Sequence, residues 1–193
     1  MDFKEFPKIS RLSREIVITE KLDGTNAQVF IRELADSEVM PTDTPIVAVV
    51  GKMLLYAGSR TKWITPQDDN YGFAKWVKDN AEELVKLGPG QHFGEWWGQG
   101  IQRKYNTNEK RWSLFNVWKW GGSRPACCHV VPVIWRGIFD TVAIESALQS
   151  LKENGSLASP GFMNPEGIVV FHTASNHLYK KMIHKDEEWK GKP

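Results

Sequence analysis

A β-branched run, Ile16-Val17-Ile18-Thr19, leads into Glu20-Lys21-Leu22-Asp23-Gly24, and alternation resumes from Ala27 to Arg32. The first run reads as a strand. In the second, Val29 and Ile31 fall on one side and Gln28, Phe30 and Arg32 on the other. Asp23-Gly24 between them is a turn signal, since glycine takes positive φ without a Cβ clash. The expectation is a hairpin-like element with Lys21 at its mouth, flanked by the acids Glu20 and Asp23. A lysine so placed suits a nucleophile, because an amine attacks only when deprotonated and burial or neighbouring cations lower its pKa. A surface lysine beside an ordinary strand-turn-strand gives the same local pattern, so the rest of the chain must decide.

At 193 residues the chain suits one domain with a substantial core, and charged (25%) and hydrophobic (41%) contents are ordinary for a globular protein. A net charge of +2 gives no global basic field, so any nucleic-acid surface must come from local clustering. Nine tryptophans are many for this size and fill a core or stack on bases. Cys127 and Cys128 are adjacent. Within a strand they point to opposite faces, which argues against a mutual disulfide. With His129 they lack Cys-x-x-Cys spacing, which argues against zinc. No signal peptide and no apolar run of about 18 residues is visible, so a cytoplasmic, reducing setting without a membrane is expected.

Residues 1–14 read as a polar lead-in and 33–45 as an acidic loop. Ile46 to Val50 and Lys52 to Tyr56 read as strands around a turn at Gly51. Asp68, Asp69 or Asn70 offers an N-cap for one helix over Tyr71 to Leu87, whose stripe is Phe73, Trp76, Val77, Ala81, Leu84 and Val85 and which Gly88-Pro89-Gly90 stops. Gln91 to Trp97 reads as a strand, with one of Trp96 and Trp97 facing the core and the other a cleft. Gln99 to Lys110 is a basic loop, either a polynucleotide grip or a solvated connection. Trp112 to Trp120 reads as a strand, 121–125 as a hairpin loop and Cys127 to Trp135 as the returning strand. Asp140 or Thr141 caps a helix to about Lys152, with Val142, Ala143, Ala147, Leu148 and Leu151 as its stripe. Leu178 to Ile183 is the last strand, and His184 to Pro193 a charged tail.

Four segments recur in a telling order: Thr19-Glu20-Lys21-Leu22-Asp23-Gly24-Thr25-Asn26, Phe93-Gly94-Glu95-Trp96-Trp97-Gly98, Pro165-Glu166-Gly167-Ile168-Val169-Val170 and Leu178-Tyr179-Lys180-Lys181-Met182-Ile183. In order and spacing they resemble motifs I, III, IV and V of the covalent nucleotidyltransferases, the ATP-dependent polynucleotide ligases and mRNA capping enzymes. The stretch around Lys21 is most similar to the T4 RNA ligase 2 group. The resemblance runs from about Ile16 to Ile183.

It implies an α+β nucleotidyltransferase domain over 1–193 (core about 15–183), with antiparallel sheets flanking a nucleotide cleft, outer helices and no OB-fold. It implies ATP and Mg²⁺ or Mn²⁺ as cofactors. Lys21 becomes the nucleophile that forms a lysyl-adenylate, and Glu166 the metal carboxylate, since Mg²⁺ prefers carboxylate plus water. Arg60 becomes the arginine on the ribose or phosphate side, Glu95 the ribose acceptor and Phe115 the purine stack, with Trp112 and Trp118 as alternatives. Asp23 orients Lys21 or the ribose, Gly24 and Gly167 permit close approach, Glu20 fixes the base or adjoining backbone, and Asn26 matches a residue that the RNA ligase 2 group needs. Motif V usually reads Lys-x-Lys. Here Lys180 and Lys181 are adjacent and face opposite sides, so Lys180 is taken into the cleft and Lys181 onto the surface, although Lys181 stays among the candidate nucleotide-binding residues.

The implied activity transfers AMP to a 5′-phosphate and seals it to a 3′-OH of a polynucleotide. At Asp23 the RNA ligase 2 group often has His, so motif I leaves RNA and DNA both open. The short stretch after motif V leaves no room for a further C-terminal domain, which makes the chain a minimal ligase or one with an accessory protein. Two alternatives remain: a non-catalytic nucleotide or nucleic-acid binder on a degenerate ligase domain, and a GTP-dependent capping-type enzyme.

Overall fold

A computed structural model describes residues 3–41 and 44–184. Residues 42–43 of the expected loop and 185–193 of the expected tail lie outside the described residues. In chain order the elements are β1 (Glu15–Lys21), β2 (Thr25–Glu33), β3 (Ile46–Val50), β4 (Met53–Gly58), β5 (Trp63–Ile64), α1 (Phe73–Asp79), α2 (Ala81–Leu84), β6 (Gly90–Gly98), β7 (Lys110–Leu114), α3 (Val117–Trp120), β8 (His129–Val130), β9 (Val133–Ile138), α4 (Thr141–Asn154), β10 (Gly167–His172) and β11 (His177–Met182). The class is α+β, as the resemblance implies. The chain divides into two compact units, Met1–Lys21 with Pro132–Pro193, and Leu22–Val131.

The first unit is a four-stranded antiparallel sheet of order β11-β10-β1-β9. Ile16 and Ile18 of β1 and Ile168 and Val170 of β10 are buried on one face with Ala147 and Leu151 of α4. Asp140 caps α4, its carboxylate accepting from the Val142 amide at 2.8 Å. The helix presents Ile144 and Leu148 to that core, whereas Val142, counted in the expected stripe, is exposed.

The second unit is a seven-stranded sheet of order β3-β4-β2-β6-β7-β8, with β5 paired to β4. Its core buries Ala27, Val29 and Ile31 of β2, the alternation expected for that strand, against α1 and α2. Phe73 and Trp76 of α1 pack on Trp96 and Trp112, with ring centroids 5.2–5.8 Å apart. Such rings bury large apolar area and add about 0.5–1.5 kcal/mol per pair beyond it.

Several expectations are corrected. The hairpin at Lys21 does not form: β10 and β9 occupy both edges of β1, so β2 pairs with β4 and β6 instead. The helix over 71–87 breaks at Asn80, whose side-chain amide donates to the Trp76 carbonyl at 2.8 Å and ends the first ladder. Asp69 still serves its start, its carboxylate accepting from the Ala74 and Lys75 amides. Trp96 and Trp97 are both buried: Trp96 packs on α1, and Trp97 donates to the Ser113 hydroxyl at 2.9 Å and packs edge-on to Tyr105.

The strand over 112–120 stops at Leu114. Asn116 caps a helical turn there, accepting from the Lys119 amide at 3.0 Å, so Trp118 lies on α3. The returning strand is two strands in two sheets, β8 and β9, interrupted at Pro132, which has no amide hydrogen to give a ladder. β8 runs parallel to β7, so residues 121–125 are not a hairpin loop. Cys127 and Cys128 fall in a turn before β8 rather than in a strand. No helix among the described residues is long and apolar enough to cross a membrane.

Candidate active site

In the first unit, the motif residues gather at one end of β1. Lys21 is its last residue, paired in register with Gly167 at the start of β10. The Lys21 ammonium donates to Glu166 Oε2 at 2.6 Å, with both side chains largely screened from water (25% and 11% exposed). On its other side β10 comes close to β11 because residue 167 is glycine: a Cβ there would stand 2.2 Å from the Lys181 carbonyl oxygen of β11.

Residues directly opposite in an antiparallel sheet share a face. The registers Thr19↔Val169↔Lys180 and Lys21↔Gly167↔Met182 therefore set Lys180 on the same face as Lys21. Lys181 aligns with Ile168 and Glu20 on the other face and forms an ion pair with Glu145 of α4.

Glu20 is 1% exposed. Its Oε2 accepts from the Leu157 and Ala158 amides at 2.9 and 3.0 Å, in the loop after α4. Its Oε1 is buried without a hydrogen-bond partner among the described residues. Burial raises the Glu20 pKa above the ordinary carboxylate value, against the lowering influence of the Ser156 hydroxyl and the two amides. A buried acceptor left open costs about 1–3 kcal/mol, so it is a place where a donor binds well.

The second unit carries the rest of motif I and motif III. The Asp23 amide donates to the Tyr105 hydroxyl at 2.8 Å, and the Asp23 carboxylate takes Arg103 Nε at 2.8 Å. The Gly24 amide donates to Glu95 Oε1 at 3.1 Å. Gly24 is there for close packing and not for positive φ, correcting the expected turn: its Cβ would stand 2.3 Å from the Trp96 carbonyl oxygen. Asn26 of β2 is the register partner of Glu95 of β6, so the two share a face. Phe115, just past β7, is 39% exposed and its amide donates to the Phe93 carbonyl at 3.0 Å. Of its alternatives, Trp112 is fully buried and Trp118 is exposed. Arg60 is exposed in the turn between β4 and β5 and makes no hydrogen bond or ion pair with a described residue.

The loop over 99–110, expected as a polynucleotide grip or a solvated connection, instead turns Arg103 and Tyr105 inward onto Asp23. Sequence reasoning missed both. Lys104, Tyr105 and Asn106 all have positive φ (61°, 50° and 50°), a run that only the asparagine hints at. The amides that hold Glu20 were missed too, because backbone donors leave no mark in a sequence.

Among the described residues, no group of three or more His, Cys, Asp or Glu side chains is placed to hold a metal by itself. Glu166 is a single hard oxygen donor. That suits an ion such as Mg²⁺, which takes one or two carboxylates and completes its shell with water and phosphate.

A family model described as RNA ligase matches residues 14–183. Among solved structures, a variant of the Naegleria gruberi RNA ligase with ATP and Mn superposes with a TM-score of 0.58 at 16% identity, over 90% of this chain and 51% of that one. Another variant with ATP and Mn gives 0.57 at 15%, over 88% and 49%. A third, with AMP and Mn, gives 0.56 at 16%, over 89% and 50%. This chain thus spans about half the length of those ligase chains. A comparison with curated protein sequences finds no match.

Proposed function

The chain belongs to the RNA ligase family, and we propose that it is a single nucleotidyltransferase domain that joins polynucleotide ends through a lysyl-adenylate on Lys21. The observation that carries this reading is Lys21 Nζ at 2.6 Å from Glu166 Oε2. It puts a nucleophile and a hard oxygen donor side by side in the two motifs that the chemistry needs.

Lys21 Nζ attacks the α-phosphate of ATP in line, forming a P–N bond as the bond to pyrophosphate breaks. The ammonium must first lose its proton, and Glu166 is the adjacent acceptor. Glu166 is also the residue that would hold a divalent ion, Mg²⁺ or Mn²⁺, which would supply neutralisation of phosphate charge. Lys180, on the face of Lys21, offsets charge that builds on the phosphates. Glu20 Oε1 offers its open acceptor to the amino group of adenine.

Glu95 and Asn26 take the ribose, Asp23 fixes the backbone that leads out of Lys21, and Phe115 stacks on the purine, which contributes about 1–3 kcal/mol. Arg60 pairs with phosphate through its planar fork. AMP then passes to a 5′-phosphate, and a 3′-OH displaces it. RNA is the favoured polynucleotide on family grounds. The free thiols Cys127 and Cys128 suit a reducing, cytoplasmic setting.

A second reading is a nucleotide or nucleic-acid binder without catalysis. It is favoured by Lys181, which pairs with Glu145 on the α4 side and leaves Lys180 as the one motif V cation on the face of Lys21. Incubation with ATP and Mg²⁺ or Mn²⁺, followed by intact mass measurement, decides between the two. A mass gain of one AMP supports the enzyme, and ATP binding without that gain supports the binder. A GMP adduct from GTP in its place makes it a capping-type enzyme. Nicked duplexes with RNA or DNA at each strand end then identify the polynucleotide.

A further inference from the structure

The adjacent cysteines take no part in the function proposed above, and the turn that carries them places their sulfurs together. Pro125–Cys128 is a β-turn closed by the Cys128 amide on the Pro125 carbonyl at 2.9 Å. Its ends are tied down: the Ala126 amide donates to Glu83 Oε2 at 3.2 Å, and Arg124 Nε donates to the Cys128 carbonyl at 3.1 Å. In a strand the two side chains would diverge. In this turn Cys127 Sγ and Cys128 Sγ stand 3.9 Å apart.

The two thiols are unequal. Cys128 is buried in the core of the second unit, whereas Cys127 lies half-buried at its edge. The contact with Cys128 holds the Cys127 thiol below the ordinary cysteine range, with Lys86 in support and burial and Glu83 in opposition. The same contact, with burial, pushes Cys128 up. Cys127, the more accessible and the more readily deprotonated of the two, is therefore the thiol that reacts first.

We propose that Cys127 and Cys128 form a vicinal dithiol modification site, at which a hydroperoxide oxidises Cys127 and Cys128 resolves it to an intrachain disulfide. The Cys127 thiolate attacks the outer oxygen of the hydroperoxide, the O–O bond breaks, and the alkoxide leaves as alcohol with one proton. The product is a sulfenic acid. The Cys128 thiol then attacks that sulfur and water leaves. Two thiols are oxidised and one hydroperoxide is reduced to alcohol and water. The sulfurs must close from 3.9 Å to about 2.05 Å, and because adjacent Cα atoms stand only about 3.8 Å apart, below the usual disulfide span, the peptide between them must distort as the two side chains rotate.

The test uses the reduced protein, hydrogen peroxide at equal concentration, and intact mass with non-reducing peptide mapping. The wild type should lose two hydrogens per chain, stay monomeric in mass, carry a Cys127–Cys128 bond and return to the starting mass with dithiothreitol. Cys128→Ser should stop at a sulfenic acid on Cys127 that dimedone traps. Cys127→Ser should lose at least about tenfold in oxidation rate, the expected consequence of removing the more accessible thiol. A wild type that reaches sulfinic acid without the two-hydrogen loss, an interchain dimer as the main product, or Cys127→Ser oxidised as fast as wild type would each overturn the proposal. The wild-type result stands whatever the fate of the two variants, and thermal melts show whether each is folded.

Discussion

The clusters around Lys21 and Asp23 lie two residues apart in the chain and are held in place by different means. Lys21 is fixed by one ion pair to Glu166, on a sheet whose buried face is small and aliphatic. Asp23 and Gly24 are fixed by their backbone amides, which donate to Tyr105 and Glu95, with the Arg103 ion pair to the Asp23 carboxylate added to these anchors, beside a sheet cored by Phe73, Trp76, Trp96 and Trp112. A group that must change partners during a reaction suits a single ionic contact. A group that must hold a ligand's shape suits backbone anchors on a rigid core.

Trp112 gives the largest effect. It is fully buried and bonds to the Ala27 carbonyl, so Trp112→Ala should destabilise the second unit by about 3–5 kcal/mol in urea titration. A loss under about 1 kcal/mol would remove the rigid-core half of the contrast. Tyr105→Phe deletes one acceptor and should cost about 1–3 kcal/mol, because the Asp23 amide loses its partner. Unchanged stability would mean that water replaces the hydroxyl, and that the backbone anchor is not what fixes Asp23.

Glu20 makes the contrast depend on pH. Its pKa is raised on folding, so its contribution to stability is full below the ordinary glutamate value, about 4.3, and is lost as pH rises through the folded value. Glu20→Gln can still accept both loop amides and carries no charge. Relative to wild type it should therefore gain stability as pH rises above about 4.3, measured by denaturation at several pH values. A difference independent of pH would mean that the carboxylate is not ionising at a cost.

The smallest effects separate the two lysines of β11. The Lys181 pair with Glu145 is substantially exposed, so Lys181→Ala should cost under about 1 kcal/mol and leave adenylation near wild type. Lys180→Ala should leave stability alone and slow adenylation. Equal slowing by both would contradict the division of faces.

The sequence made β1, β2, β3, β6 and α4 legible, because each has one strong period and a clean stop. It failed where side chains compete with backbone. Asn80 ends a helix and Asn116 starts one inside runs whose apolar spacing looked continuous. The hairpin at Lys21 failed for a non-local reason, since only pairing with β9 and β10, more than about 110 residues away in the chain, shows that the edges of β1 are taken. Of the candidate site, the charged motif residues were readable. Arg103, Tyr105 and the Leu157 and Ala158 amides were not, because a loop with three positive-φ residues in a row and two main-chain donors carry no residue signature.

The central claim is that Lys21 Nζ becomes bonded to phosphorus, and peptide mapping tests it most directly. Protein incubated with ATP and Mn²⁺, then digested, should carry one acid-labile AMP on the peptide that contains Lys21, and Lys21→Ala should carry none while melting like wild type. AMP on any other residue, or a Lys21→Ala protein that labels as fully as wild type, would contradict the account.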